Sequence, residues 1–346
     1  MPRVTTSLGD GGLGLLLPPM PPADSGSTTG SPDFPTFGST GWVIKLAAGA
    51  EEAGAHSVWA SDHLFWRQPA TECLTTLAVA AAATRGVTVG SCVLQLPLRA
   101  PAAVAKQAAA LQVLSGGRAV LGVGVGSHPG EYELANVRFG SRGRALDAGI
   151  TLLRAACGTA DGPGEYRLSP APPVPVWVGG NSPAAIRRAA TAGDGWMPLF
   201  IAPREYAASL RRLDEAAAAA GRAADAVTRA VVMVATARRD RQRARDAGTT
   251  WLSRLYGLPQ RAFERHLVAG PATHCADVAA EYMEAGAEHV VVLIADDDAL
   301  GQFQAITTAF DGSRARPRHE AAPSPEVAGR PDGAWTSSNE LAEVGA

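Results

Sequence analysis

Short, nearly unbroken apolar runs alternate along this chain with longer segments whose apolar residues recur at helical spacing. The runs at 13–17, 57–60, 87–94, 119–125, 174–178, 195–198, 230–236 and 289–294 read as strands. They lack the in–out alternation of a half-exposed strand, as expected of a parallel sheet covered on both faces. The segments at 42–53, 72–84, 102–114, 142–156, 183–192, 204–220, 276–285 and 298–309 predict helices. Ser115-Gly116-Gly117 gives the 102–114 helix a stop, because glycine enters the left-handed region freely. Eight such β/α alternations predict an α/β protein of the (β/α)8 TIM-barrel type, a closed barrel and not an open sheet. Residues 238–272 are too long for one crossover and predict an excursion after the seventh strand, with helical character, beside the barrel mouth.

The two ends break the pattern. Residues 18–39 are dense in Pro, Gly, Ser and Thr and predict a long loop after the first strand. Residues 312–346 mix Pro, Ser, Gly and charge without apolar periodicity and predict a disordered tail. The domain reading is therefore a flexible stretch at 1–12, one barrel at 13–311 and the tail at 312–346. Hydrophobic content of 46% with 18% charged residues describes a globular chain. A net charge of -2 with no basic cluster argues against a nucleic-acid surface. No stretch reaches the roughly 18 apolar residues of a membrane span. The run at 13–17 breaks into prolines too soon for a secretory signal, so the expected compartment is the cytoplasm, with no membrane partner. Cys73, Cys92, Cys157 and Cys275 are scattered, with neither a CxxC nor a Cys/His ligand spacing, and read as reduced thiols with no metal site.

Parallel α/β proteins bind ligands beyond the carboxyl ends of their strands. The second run ends there in Ser61-Asp62-His63, followed by Phe65 and Trp66. An acid and an imidazole in that place point to chemistry, with His63 giving or taking a proton and Asp62 beside it. The alternative is a helix-capping Asp next to a surface His. After the fourth run comes Gly122-Val123-Gly124-Val125-Gly126-Ser127-His128, whose GxGxG lacks the spacing of a dinucleotide fingerprint. Bare backbone there admits a ring system, making Gly126 and Ser127 candidate cofactor contacts, or else serves tight packing at the rim. Val178-Gly179-Gly180-Asn181-Ser182-Pro183 is a strand-to-helix junction whose free amides suit a phosphate. Gly179, Gly180, Asn181 and Ser182 are its candidate contacts, against the alternative that Asn181 or Ser182 merely caps the helix. The P-loop Lys and Ser/Thr are missing, which argues against nucleotide hydrolysis. Cys92, in an apolar strand without an activating partner, reads as an inert buried thiol. Arg142-Gly143-Arg144 with Asp147 reads as a salt-bridge group at a helix start, or an anion contact. Glu131 and Glu133 read as solvated loop carboxylates, with proton donation as the alternative. His56, His266, His274 and His289 are isolated and are assigned no function.

Several of these stretches also match one family in order and spacing. They are Gly14-Leu15-Leu16-Leu17-Pro18, the run 58–63, Leu96-Pro97-Leu98-Arg99-Ala100-Pro101, Ala105-Lys106-Gln107 and Leu114-Ser115-Gly116-Gly117-Arg118. To them belong 121–126, Arg142-Gly143-Arg144, and 176–182 with Asp194-Gly195-Trp196. Over residues 13–310 the chain resembles the bacterial luciferase-like superfamily of flavin- and deazaflavin-dependent oxidoreductases. The resemblance implies a TIM barrel with coenzyme F420 or FMN in its mouth, and a homodimer. Ser61-Asp62-His63 with Trp66 is most similar to the deazaflavin branch. By that resemblance His63 and Asp62 lie beside the ring, a non-prolyl cis peptide at Cys92-Val93 lies behind it, and Gly179 and Gly180 hold the phosphate. Where some relatives carry a glutamate directly after the Gly-rich loop, this chain has Ser127-His128, which argues against a glucose-6-phosphate-type reaction. The expected function is hydride transfer between coenzyme F420 and a small organic substrate. The alternatives are a monooxygenase using reduced FMN and dioxygen, and a cofactor-binding protein without turnover.

Overall fold

Strand β1 (Gly12–Leu17) is paired in parallel on both edges, to β2 (Ser57–Ala60) and to β10 (His289–Ile294), so the first and last strands close the sheet on itself. The circle continues from β2 to β3 (Thr88–Ser91), β5 (Ala119–Gly124), β6 (Val176–Gly179), β7 (Gly195–Met197) and β8 (Thr228–Ala237), and β8 pairs back to β10. This computed structural model describes residues 11–19, 40–68, 70–157, 168, 173–223 and 225–314. Residues 1–10, most of the expected loop at 18–39 and the tail beyond Arg314 lie outside them. The helices are α1 (Thr40–Glu52), α2 (Cys73–Ala83), α3 (Pro101–Leu114), α4 (Pro129–Leu134), α5 (Arg142–Cys157), α6 (Pro183–Ala192), α7 (Pro203–Ala219), α8 (Arg241–Tyr256), α9 (Ala272–Glu284) and α10 (Ala299–Arg314). Among the described residues no helix is long and apolar enough to cross a membrane.

The eight-stranded TIM barrel predicted from the alternation is the fold observed, with differences in detail. The third strand, expected unbroken over 87–94, stops at Ser91, passes a cis peptide at Cys92–Val93, and resumes as β4 (Leu94–Gln95) on β5. The excursion contains α8, as its helical character suggested, and also a strand, β9 (Leu267–Gly270). That strand exists because β7 is short. It pairs only Gly195 and Trp196 with the start of β8, and Leu199 bridges Val232. The upper edge of β8 would then carry open N–H and C=O groups, and β9 covers it from Val234 to Ala237. The excursion returns to its own start, where the Arg238 N–H donates to Gly270 O at 2.8 Å. The expected tail boundary is corrected: residues 312–314 belong to α10. Arg314 holds that last turn by lying over the Phe310 ring and donating to Gly11 O.

Two hydrophobic layers result. One fills the space between sheet and helices, and the other fills the barrel, where Trp59 and Trp177 sit with ring centroids 5.2 Å apart. Small residues on the adjacent strands make this possible. A Cβ at Gly90 would lie 2.3 Å from the Trp59 ring, and one at Gly195 would lie 2.5 Å from Trp177. At the bottom of the barrel His289 stacks on Trp177.

Gly122 tests this packing most severely, because a Cβ there would meet the Ser91 carbonyl oxygen, backbone that cannot rotate away, at 2.1 Å. Gly122→Ala is expected to lose about 3 kcal/mol, the upper part of the overpacking range. The check is the urea midpoint, and an unchanged midpoint would show that the two strands can part at no cost.

Candidate active site

An open cavity lies at the carboxyl ends of the strands. Its walls come from Leu16 in β1, Ser61–His63 after β2, Cys92–Val93 and Gln95 in the third barrel strand, Gly124 at the end of β5, and Gly126 and Ser127 beyond it. Gly179–Gly180, Met197, Leu199, Val232, Leu293 and the end of α8 (Leu255, Tyr256) complete them. Its empty volume is about 990 Å³ with the solvent-open part included. The side walls are apolar and one end is polar.

Glu131 organises the polar end. It stands in the first turn of α4, which begins at Pro129, and its side chain has no solvent exposure. The expectation of a solvated loop carboxylate is therefore corrected. Glu131 Oε1 accepts from the Leu64 N–H at 2.7 Å and the Phe65 N–H at 3.1 Å. Oε2 lies 2.9 Å from His63 Nδ1 and accepts from Gln95 Nε2 at 3.1 Å. Burial pushes the Glu131 carboxyl up, but the His63 ring, the Phe65 N–H and the Gln95 amide together outweigh it and hold it below its ordinary 4.5. An ionised carboxylate can only accept, so the proton at this contact is on His63 Nδ1, and Nε2 is the ring nitrogen left for the cavity. Trp66 fixes the plane of the imidazole by stacking on it at 3.7 Å, and the Trp66 N–H is itself held by Leu255 O at 2.9 Å.

Asp62 is only 3% exposed and faces a different set of partners. Its Oδ1 receives Arg99 Nη2 at 2.6 Å, and its Oδ2 accepts the Gln95 N–H at 2.9 Å. Burial raises the Asp62 carboxyl above its usual value, against the opposing pull of Arg99 and the Gln95 N–H. Gln95 links the two acids, since its Nε2 also donates to Asp62 O at 2.9 Å. Nothing in its surroundings in sequence marked Gln95. Glu131 did carry a signal: Pro129 after a Gly-rich strand end starts a helix in the mouth, which turns its third residue toward the barrel.

The Gly-rich segments serve packing first. A Cβ at Gly124 or Gly179 would meet the Val93 side chain at 2.5 or 2.8 Å, and one at Gly126 would meet Gln95 Oε1 at 1.9 Å. Val93 thus sits in a notch between β5 and β6 and forms part of the cavity floor. Cys92 beside it has its thiol pushed up to about 12 by burial, in line with an inert thiol. Tyr256 is raised by burial too and stays un-ionised. Of the candidate contacts, His63, Asp62, Cys92, Val93, Gly126, Ser127, Gly179 and Gly180 line the cavity, whereas Asn181 and Ser182 do not. Asn181 Nδ2 donates to Leu199 O at 2.6 Å, and Ser182 caps α6 by accepting from the Ala185 N–H. The N-cap alternative is thus the one realised for Ser182. Gly180, at φ 104°, turns the chain between cavity and helix. Arg142 packs over Phe139, and Asp147 pairs with Arg188. Among the described residues no cluster could hold a metal ion.

Apolar walls with one polar end suit a ring system whose polar groups lie on one edge, so the residues present are compatible with a flavin or deazaflavin. The sequence model of the family described as luciferase-like monooxygenase matches residues 14–266. An uncharacterized protein of Mycobacterium tuberculosis is 36% identical, over 45% of this chain and 64% of its own length. An F420-dependent glucose-6-phosphate dehydrogenase of Amycolatopsis mediterranei is 33% identical, over 45% of this chain and 52% of its own. The chain thus spans less than two thirds of these relatives. Among solved structures, an F420-dependent secondary alcohol dehydrogenase in complex with an F420-acetone adduct superposes with a TM-score of 0.70. It covers 87% of this chain and 98% of its own at 18% identity, a likeness of fold.

The depressed Glu131 carboxyl has a consequence for acid stability. Between its folded value and 4.5 the unfolded chain binds the extra proton, so stability rises with pH across that window and is flat above it. Glu131→Gln removes this component and leaves donors facing a buried amide, for an expected loss of about 1–3 kcal/mol at neutral pH. The gap between wild type and variant should close as pH falls through the window. Chemical denaturation at several pH values measures it, and a gap independent of pH would mean the carboxylate is not the stabilising form.

Proposed function

This chain belongs to the luciferase-like monooxygenase family, and from that premise we propose that it is a coenzyme F420-dependent oxidoreductase acting on a small organic substrate. The observation that carries the reading is the His63–Glu131 contact at 2.9 Å in the cavity wall. When bound, the coenzyme supplies a two-electron hydride carrier. Val93 and the apolar walls would hold its ring, and the backbone from Gly179 to Ser182, at the amino end of α6, would meet its phosphate.

His63 Nε2 gives or takes the proton at the substrate oxygen, because Glu131 keeps the other nitrogen protonated and steadies the cationic ring when it forms. Trp66 and Gln95 restrict the imidazole to one orientation. Asp62, first read as catalytic, becomes a positioning residue: its oxygens are occupied by Arg99 and the Gln95 N–H, and it fixes the strand from which Gln95 reaches Glu131. The choice of F420 over FMN is supported by Ser61-Asp62-His63 with Trp66 and by the relative from Amycolatopsis mediterranei, whose name carries that coenzyme.

Anaerobic fluorescence titration with coenzyme F420 and with FMN tests the coenzyme. Saturable binding of the deazaflavin is expected, and binding of FMN alone would replace this reading with the flavin monooxygenase. His63→Ala should lower turnover roughly 10²- to 10⁴-fold while leaving the fold intact. Full turnover in that variant would remove His63 from the mechanism. Gly180→Val places a branched side chain at a positive φ and should weaken coenzyme binding by at least about tenfold.

A further inference from the structure

We propose that the substrate of this site is a neutral, mainly apolar carbonyl compound or alcohol, not a phosphorylated or otherwise anionic one. The inference rests on reading the cavity as the active site of a deazaflavin-dependent oxidoreductase. It follows from the charges around the cavity. Among the described residues, no lysine or arginine lines it. Asp62 lines its polar end, and the buried Glu131 stands behind His63 there. Arg99, the cation beside them, is already shared by Asp62 at 2.6 Å and Glu72 at 3.2 Å, so it carries no spare positive charge.

Two further arginines are engaged in the same way, Arg238 after β8 by Asp296 and Arg254 on α8 by Asp297. Arg67, on the loop after Trp66, is exposed and outside the lining. The amides at the start of α6 are assigned above to the coenzyme.

A phosphate entering this space would leave water with no lysine or arginine in the lining to pair with, beside Asp62 and with Glu131 behind the His63 ring. Burying an unpaired charge costs far more than apolar contact returns. A neutral oxygen asks for little: one hydrogen bond to His63 Nε2 satisfies it. The remainder of the molecule then finds Leu16, Val93, Leu199, Val232 and Leu293, with Trp66 as an aromatic face. Such walls reward each buried methylene.

The test uses the full chain and two probes of one ring size, cyclohexanone and cyclohexyl phosphate. Binding is followed by calorimetry and by quenching of tryptophan emission, with and without coenzyme F420. Cyclohexanone is expected to bind saturably, and the phosphate at least roughly 30-fold more weakly, an unpaired buried charge being the penalty. Leu199→Lys, which sets an ammonium on the half-buried part of the wall, should narrow that ratio by at least roughly tenfold. Equal or tighter binding of the phosphate, binding of neither probe, or an unchanged ratio in a folded Leu199→Lys variant would overturn the proposal. The two levels fail separately. Loss of coenzyme F420 binding with the ketone preference intact would sink the proposed function alone, whereas a reversed preference with the coenzyme bound would sink the substrate class alone.

Discussion

A carboxylate removed from water must be given hydrogen-bond donors, and Glu131 is given four: two backbone amides, an imidazole and a carboxamide. Each donor comes from a part of the chain that must be placed before the bond can form. The amides of Leu64 and Phe65 fix the loop after β2, His63 is the side chain that loop carries, and Gln95 belongs to the short strand beyond the cis peptide. The need to satisfy one buried charge therefore sets the geometry of the polar end of the cavity. It also explains why an irregular loop holds a titratable ring in one orientation, with Trp66 stacked on its face and anchored in turn to α8.

The barrel was legible in the sequence because strands buried on both faces leave a signature that survives without any knowledge of partners. The runs at 57–60 and 289–294 match β2 and β10 residue for residue. What escaped was set by neighbours. Strand β9 is short and only half-buried, and it exists to cover an edge that β7 is too short to reach. The break in the third strand at Cys92–Val93 lies inside a continuous apolar run, so periodicity could not find it, and the family resemblance did.

The candidate site divides along the same line. His63 announced itself by standing at a strand end next to an acid, and it lines the cavity. Its hydrogen-bond partner did not announce itself, because adjacency in sequence pointed to Asp62. The ring instead reaches Glu131, 68 residues away, and the Asp62 carboxylate turns to Arg99. The glycines were noticed as room for a ligand, and several prove to be room for the protein's own Val93 and Gln95. Spacing identifies bare backbone. It does not say which neighbour fills the space.

The excursion between β8 and α9 leaves the barrel and rejoins it at hydrogen-bonded positions, Arg238 and Gly270. Its length is thereby uncoupled from the closure of the sheet. A cassette built this way can be lengthened, shortened or exchanged during evolution with its two junctions held a single bond apart. Because its helix contributes Leu255 and Tyr256 to the cavity wall and holds the Trp66 N–H through Leu255 O, each exchange would reshape the cavity and the support of the His63 ring together.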